Sequence, residues 1–432
     1  MSKHMVKHIA QPTISVEVAS TADPTETPTT AHNIIDVQQT TCCIVGGGPA
    51  GAVLSLLLAR QGIPVMLLEA HEDFDRNFRG DTIHPSVMEI MEELGLADRV
   101  LQLRHTKTRQ LISETANGSV TFADFSRLKT KYPYITILDQ VHFLELITAE
   151  AKRYPNFQLV MGANVQKLIE EDGMIRGVRY RGKGGWYEVR ALLTVGADGR
   201  FSRTRNLAGM QLIESATPPI DVLWFRLPRR PDEPENGMGR FGRGRLLVLT
   251  NRFNYWQVGY IMPKGNYRQL QAAGLEALQQ SVAETMPELA DRVKSLKEWK
   301  QVSLLSVKVG RLSRWYRPGL LLIGDAAHVM SPVGGVGINY AIQDAVVAAN
   351  VLRYPLKIGK VQLCHLAAVQ RQRELPTRII QWFQSLAQEQ IIAKAFKSDK
   401  PFAPPKIMRL PILRDLPARL MGFGVWSVHV RN

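Results

Sequence analysis

Apolar positions along the chain follow two rhythms. From Thr40 to Val45 (TTCCIV) they form an unbroken β-branched run, the pattern of a strand buried on both faces, and the run enters Gly46-Gly47-Gly48-Pro49-Ala50-Gly51. Ala50 to Arg60 is apolar on nearly every side and predicts a buried helix closed by Gly62; Pro64 to Leu68 predicts a second strand ending at Glu69. Strand, helix and strand complete a βαβ unit. Ser86 to Glu89 reads as a capping box opening a helix with Val87, Ile90, Met91 and Leu94 on one stripe. A helix from about Asp139 carries Gln140 on its first turn and packs through Phe143, Leu144 and Ile147, before a strand at Phe157 to Met161. Val165 to Glu171 and Met174 to Arg181 flank Asp172-Gly173, a pair suited to a type I′ turn, and Glu188 to Val195 returns as a strand. Leu320 to Ile323 is a short buried strand, and a glycine-rich loop precedes a helix from Ile338 to Leu352. Alternation at Val222 to Leu227, Leu246 to Thr250, Tyr255 to Met262 and Val302 to Val309 predicts a separate antiparallel sheet.

Composition narrows this picture. Hydrophobic residues at 45% exclude a wholly disordered or collagen-like chain. The first 39 residues, with TADPTETPTT at 21–30, predict a disordered tail that holds Lys3 and Lys7 against four carboxylates, so the positive charge that makes the whole chain +15 belongs to the remaining residues. Such a charge suits an anionic partner. Cys42, Cys43 and Cys364 can form neither a disulfide framework nor a zinc site, and no apolar run is long enough for a membrane span, so a cytoplasmic protein is expected.

The chemistry lies at the glycines. Gly46 permits a tight turn, Gly48 lets a pyrophosphate approach the backbone, and Gly51 allows close packing of helix on strand, with free N–H groups at the helix start around Pro49 and Ala50. Glu69, followed by Ala70, stands where a carboxylate accepts ribose hydroxyls. This unit alone does not distinguish NAD from FAD. Arg79 can pair with a phosphate or stand in a solvated loop; His84 reads as structural. Asp198-Gly199 ends a strand, and Gly324-Asp325 ends another, where the carboxylate suits a sugar-like polyol. Arg240, Arg243 and Arg245 alternate with glycines in a solvated hairpin turn, and nucleic acid is not an expected partner. Metal-ligand clusters and nucleophile elbows are absent from the pattern, so no catalytic side chain is assigned.

The G-x-G-x-x-G turn, Asp198-Gly199 with its downstream arginines, and Gly324-Asp325 followed by Pro332, Gly335, Gly337 and Asn339 together resemble the single-component flavin monooxygenases of the p-hydroxybenzoate hydroxylase fold, over residues 40 to about 355. The resemblance implies an α/β fold: a Rossmann-like FAD-binding domain (40–100, 139–212 and 306–360), an inserted antiparallel β-sheet substrate domain (101–138 and 213–305), and a helical, basic C-terminal region (361–432). It implies that Glu69 binds the adenosine ribose, Arg79 and Gln140 reach the pyrophosphate or ribityl region, and Asp325 holds the ribityl chain. The backbone of Gly337, Ile338 and Asn339 would face the flavin ring, and Asp198-Gly199 would support FAD and the use of NADH or NADPH. Trp224, Phe225, Tyr255, Trp256 and Tyr260 become pocket-lining positions. Val336 departs from the glutamine of many relatives. The activity implied is hydroxylation or epoxidation of an aromatic, quinone-like or unsaturated lipophilic molecule with O2 added at flavin C4a. The alternatives are a polyprenyl reductase-like enzyme and a flavin-containing membrane-surface binding protein, the latter because basic and bulky apolar residues interleave over 394–432 in a segment whose prolines bar one continuous helix.

Overall fold

In the computed structural model the described residues are 33–75, 82–115, 118–214, 218–392, 396 and 414–431. The first strand spans Ile34–Val45, so residues 34–39, expected in the tail, are ordered by pairing in parallel with Gly185–Gly196; residues 1–32 lie outside the described set. Val65–Leu68 and Phe157–Val160 extend the sheet on one side and Leu320–Leu322 on the other, all parallel, while the hairpin of Asn164–Glu171 and Met174–Gly182 joins Gly185–Gly196 antiparallel. Asp172 and Gly173 both have positive φ, the backbone a type I′ turn demands.

The unbroken apolar runs are explained by burial on both faces. Cys42, Ile44, Val65 and Leu67 face the helices Pro49–Arg60, Pro85–Glu93, Gln140–Ala151 and Gly337–Lys357, whereas Cys43, Val45, Met66 and Leu68 face the hairpin. The expected capping box is not formed. Pro85 occupies the first helical turn with His84 as the N-cap residue, and the Ser86 hydroxyl instead accepts from Gln343 Nε2 at 3.3 Å.

A seven-stranded sheet stands apart, with strand order Ser303–Ser306, Ile220–Pro228, Tyr255–Pro263, Arg245–Asn251, Met238–Gly242, Gln110–Thr115 and Gly118–Asp124. One junction breaks the expected antiparallel pattern: Met238–Gly242 and Gln110–Thr115 pair in parallel, because the two come from separate insertions of the chain. The arginine-glycine run is the hairpin turn expected: Arg243 is exposed, and Arg240 and Arg245 make surface pairs with Glu288 and Glu284.

Period-two alternation sends the predicted pocket aromatics to opposite faces. Phe225, Trp256 and Tyr260 are buried with Leu223, Leu247 and Val258 under the helix Leu275–Thr285; Trp256 Nε1 donates to Glu233 and the Tyr260 hydroxyl bonds Ser281 Oγ at 2.7 Å. These three are core residues, a correction to the pocket assignment. Trp224 points the other way, lying over Gly259 so closely that a Cβ there would meet the indole at 3.1 Å. Tyr255 is half-buried on that same face, with the Arg226 guanidinium 5.1 Å from its ring.

Of the C-terminal region, residues 363–387 and 416–431 pack back on the cofactor lobe, while 397–413, where much of the expected membrane contact falls, lie outside the described residues. The helix Leu363–Ala387 packs beside Gly337–Lys357, and the short helix Leu416–Phe423 starts with Pro417 in its first turn. Asn350 donates to the His429 carbonyl, and Glu93 accepts from the Val430 N–H at 2.7 Å. Among the described residues no helix is long and apolar enough to cross a membrane. Phe225→Ala should cost about 3–5 kcal/mol of folding stability, read by chemical denaturation. Trp224→Ala, on the less buried face, should cost markedly less.

Candidate functional site

The site begins where the first strand hands over to its helix. A Cβ on Gly51 would lie 2.0 Å from the Gly46 carbonyl oxygen, and one on Gly46, whose φ is +104°, would lie 2.6 Å from the Ala197 carbonyl. The protein's own backbone therefore demands both glycines. Gly48 differs: its φ is negative and a Cβ there would meet nothing within 4 Å. Among the described residues nothing explains its bareness, which fits a large group seated on the helix start. Glu69 is buried, with Oε2 accepting the Gly47 N–H at 2.8 Å and Oε1 the His71 N–H at 3.1 Å. A carboxylate oxygen can accept more than one donor, so these bonds orient the group without exhausting it. Ala70 follows on the exposed side.

Two distant segments meet this turn. The Ala197 N–H donates to the Val45 carbonyl at 2.7 Å, which places Asp198-Gly199 against Gly46. The Asp198 carboxylate accepts from Ser202 Oγ and the Thr204 N–H, anchoring the helix Arg203–Leu207. Gly324 has φ +60°, and a Cβ there would sit 3.4 Å from that of Ala50. Arg205 ties the second segment to the third, donating to the carbonyls of Arg200 and Ala326. Burial lowers its affinity for the proton, opposed by the charges of Asp198 and the half-buried Asp325.

The loop after Ser331 is shaped by its neighbours. Pro332 opens a short turn in which Gly334 and Gly335 both take positive φ; a Cβ on Gly335 would meet Thr82 Oγ1 at 2.6 Å. Thr82 Oγ1 donates to the Gly335 carbonyl. Asn339 is buried, its Oδ1 accepting the His84 N–H and its Nδ2 donating to the Thr82 carbonyl, so its side chain fastens the loop to Thr82–Ile83. Gly337, by contrast, would carry a Cβ with nothing within 4 Å, and with Ile338 it begins a helix whose first N–H groups have no partner within the helix. The strand Ile135–Leu138 pairs with Thr82–Ile83 and delivers Gln140 two residues later, half-buried at its helix start. Arg79 lies outside the described residues.

Three groups escaped the sequence pattern. Asp344, fully buried in the Gly337–Lys357 helix, accepts the Gly324 N–H at 3.0 Å, His328 Nε2 at 2.6 Å and Arg373 Nε at 2.7 Å. Burial alone would raise this carboxyl; His328 and Arg373 nevertheless hold it below the usual range. The signal available was spacing, since Asp344 falls on the face of that helix turned toward Gly324.

The FAD binding domain family model matches residues 39–382. The chain belongs to that family. It is 33% identical over 400 residues to 6-methylpretetramide 4-monooxygenase of Streptomyces rimosus, covering 92% of this chain and 95% of the relative. Para-nitrophenol 4-monooxygenase of a Pseudomonas strain is 25% identical, covering 73% and 78% of the two chains. Among solved structures, p-nitrophenol 4-monooxygenase PnpA of Pseudomonas putida superposes with a TM-score of 0.70 at 20% identity, over 90% of this chain and 95% of that one. The fold is thus that of FAD-binding monooxygenases, and the protein is an FAD-dependent oxidoreductase of the monooxygenase type.

The residues present fit FAD. Two helix starts, at Gly48 and Gly337, leave open space where a Cβ would stand; Glu69 holds the Gly47 N–H beside the first, and Asp325 follows Gly324, which packs against Ala50. Above the loop, the inner face of the separate sheet is apolar: Val222, Trp224, Phe241, Val248, Ile261 and Leu305 cluster with Val333 of the loop and with Ile392 and Phe396.

Gly48→Ala should leave the apoprotein's melting temperature unchanged while weakening FAD affinity at least tenfold, whereas Gly51→Ala should destabilise the apoprotein itself; flavin fluorescence titration and thermal melts separate the two. His84 supplies a pH test. Burial drives its imidazole down to about 4 from 6.5, against a bond between Nδ1 and the Met421 carbonyl that favours the proton. The unfolded chain therefore binds the extra proton first, and stability that is full above pH 6.5 should fall by about 3 kcal/mol as pH drops toward 4. In His84→Gln that part of the pH dependence should vanish from the melting curve.

Proposed function

We propose that this protein hydroxylates an extended aromatic, phenol-like small molecule, using FAD, a reduced nicotinamide cofactor and O2. The observation that carries the reading is the near full-length similarity to a monooxygenase named for 6-methylpretetramide, at 33% identity. The apolar inner face supports it, since a flat ring system is held best by apolar contact with few polar groups to fix its orientation.

FAD would supply the redox chemistry, coupling the reducing equivalents of NADH or NADPH to the activation of O2, of which one atom would enter the substrate and the other leave as water. The chain supplies position and dryness. Glu69 would accept from the adenosine ribose, Gly48 would admit the pyrophosphate to the helix start, and Asp325 would accept from the ribityl hydroxyls. The first N–H groups of the Gly337–Lys357 helix would stabilise negative charge developing on the flavin ring. Gln140 would reach the pyrophosphate or ribityl region. Trp224, with Tyr255 and Arg226 on its face of the sheet, would set the substrate's tilt, and the apolar cluster around Val333 would exclude water. For the reductant, Phe201, 81% exposed beside Arg203, Asn206 and Leu207 after the Asp198-Gly199 turn, offers a ring for stacking and a guanidinium for phosphate.

The test is turnover of the purified holoprotein with polycyclic phenols under labelled dioxygen. One labelled oxygen atom per product and NAD(P)H oxidised in step with it are expected, and Trp224→Ala should raise KM about tenfold or more with a small change in Tm. NAD(P)H oxidation that yields only hydrogen peroxide across such phenols, or bound flavin that no nicotinamide reduces, would sink the reading.

A further inference from the structure

The helix Leu363–Ala387 lies beyond the sequence motifs, yet one of its faces is a stripe of buried polar side chains: Gln370, Arg373, Thr377, Gln381 and Gln384, spaced by three or four residues. A helix face turned to a core is ordinarily apolar, and burying amides and a guanidinium costs free energy unless each finds a partner. Apart from Glu374 of the same helix, which accepts from Gln370 Nε2, the amide partners named here lie between Gly310 and Val333, in the segment that carries the third motif. Gln370 Oε1 accepts the Trp315 N–H and its Nε2 donates to the Ser313 carbonyl. Gln381 Nε2 donates to the carbonyls of Gly310 and Val329, and Gln384 Nε2 to those of Ser331 at 2.9 Å and Val333 at 2.8 Å. Arg373, only 1% exposed, reaches Asp344, whose other oxygen holds both His328 and the Gly324 N–H.

Stability alone does not account for this set. Replacing a buried charge cluster by apolar groups of like volume is often neutral or stabilising, whereas removing one member strands the others. What the cluster adds is direction. Asp344 fixes the nitrogen of Gly324, whose φ of +60° aims the next residue, Asp325, and Gln384 fixes the two carbonyls that bracket Pro332. Both stretches of backbone are those that would meet the cofactor.

We infer that the polar stripe of the Leu363–Ala387 helix is a clamp for the FAD site, in which Arg373, through Asp344 and His328, and Gln384 act as positioning residues for the Gly324-Asp325 turn and the Ser331–Gly337 loop. The inference rests on the reading that this turn and loop contact FAD. The C-terminal region is then a working part of cofactor retention.

FAD dissociation constants from flavin fluorescence, and melting midpoints of the apoprotein, measured on full-length Arg373→Met, Asp344→Asn, their double variant, Gln384→Met and Asp325→Ala, test it. Arg373→Met and Asp344→Asn should each weaken FAD binding at least tenfold. The double variant should recover most of that loss, because the amide oxygen introduced by Asp344→Asn can still accept the Gly324 N–H and no buried charge is stranded. A structural role alone lowers the apo midpoint and leaves the affinity of folded protein intact, which overturns the inference, as does a double variant that loses the product of the two single effects. If the charge variants do not fold, Gln384→Met decides: weaker FAD at an unchanged apo midpoint supports the clamp, and unchanged affinity refutes it. Asp325→Ala separates the layers. Unchanged FAD affinity there refutes the cofactor contact of the turn, while a loss there with none in the clamp variants refutes the clamp alone.

Discussion

The structure depends on how closely backbone can approach backbone at one point. With the Gly46 carbonyl oxygen 2.0 Å from where a Gly51 Cβ would stand, the fingerprint helix can lie on its strand only if that position has no side chain. Everything else in the cofactor lobe is placed relative to this contact. Ala197 closes on Gly46, Gly324 closes on Ala50, and the strands that carry them lie parallel to the first in one sheet. Three segments far apart in the chain are thereby held around one helix start, where N–H groups are exposed and partial positive charge collects.

The lobe and the separate sheet solve different problems. FAD is large, anionic and polar along most of its length, which suits a receptor of backbone amides and carboxylates on rigid elements, with glycines where a Cβ would intrude. The face that the proposed function gives to the substrate instead carries Trp224, Val248 and Ile261, backed by a core in which Phe225, Trp256 and Tyr260 fill the space under a helix. Because the backing is dense, the sheet resists deformation, and the adaptable groups are those on its half-buried face.

Local pattern exposed much of this. Glycine spacing, the apolar runs and the Asp172-Gly173 turn all act through the residues that carry them, so the βαβ unit, the hairpin and the three convergent motifs were legible in the sequence. The faces of the separate sheet were not. Alternation shows that Trp224 and Phe225 point apart, but which of them meets the core depends on what covers each side, and the covering helix, Leu275–Thr285, comes much later in the chain. Asp344 and Arg373 were invisible for a similar reason: each reads as an ordinary polar position of a helix until the second helix is laid beside the first. Pro85 hid the helix start behind a plausible Ser-x-x-Glu pattern, since a proline at the first turn moves the boundary by one residue and frees Ser86 for Gln343.

The parallel junction in the separate sheet governs the order of assembly. Gln110–Thr115 leaves the ribosome early and its hairpin partner follows at once, but its other neighbour, Met238–Gly242, comes only after the hairpin and the strand Gly185–Gly196 of the cofactor lobe have been made. Until then one edge of that early hairpin stays unpaired, and a pairing so distant in sequence forms slowly. Newly made chains thus pass through a stage with an open strand edge, when an aggregating neighbour competes with the native partner and the cell's chaperones have the most to do.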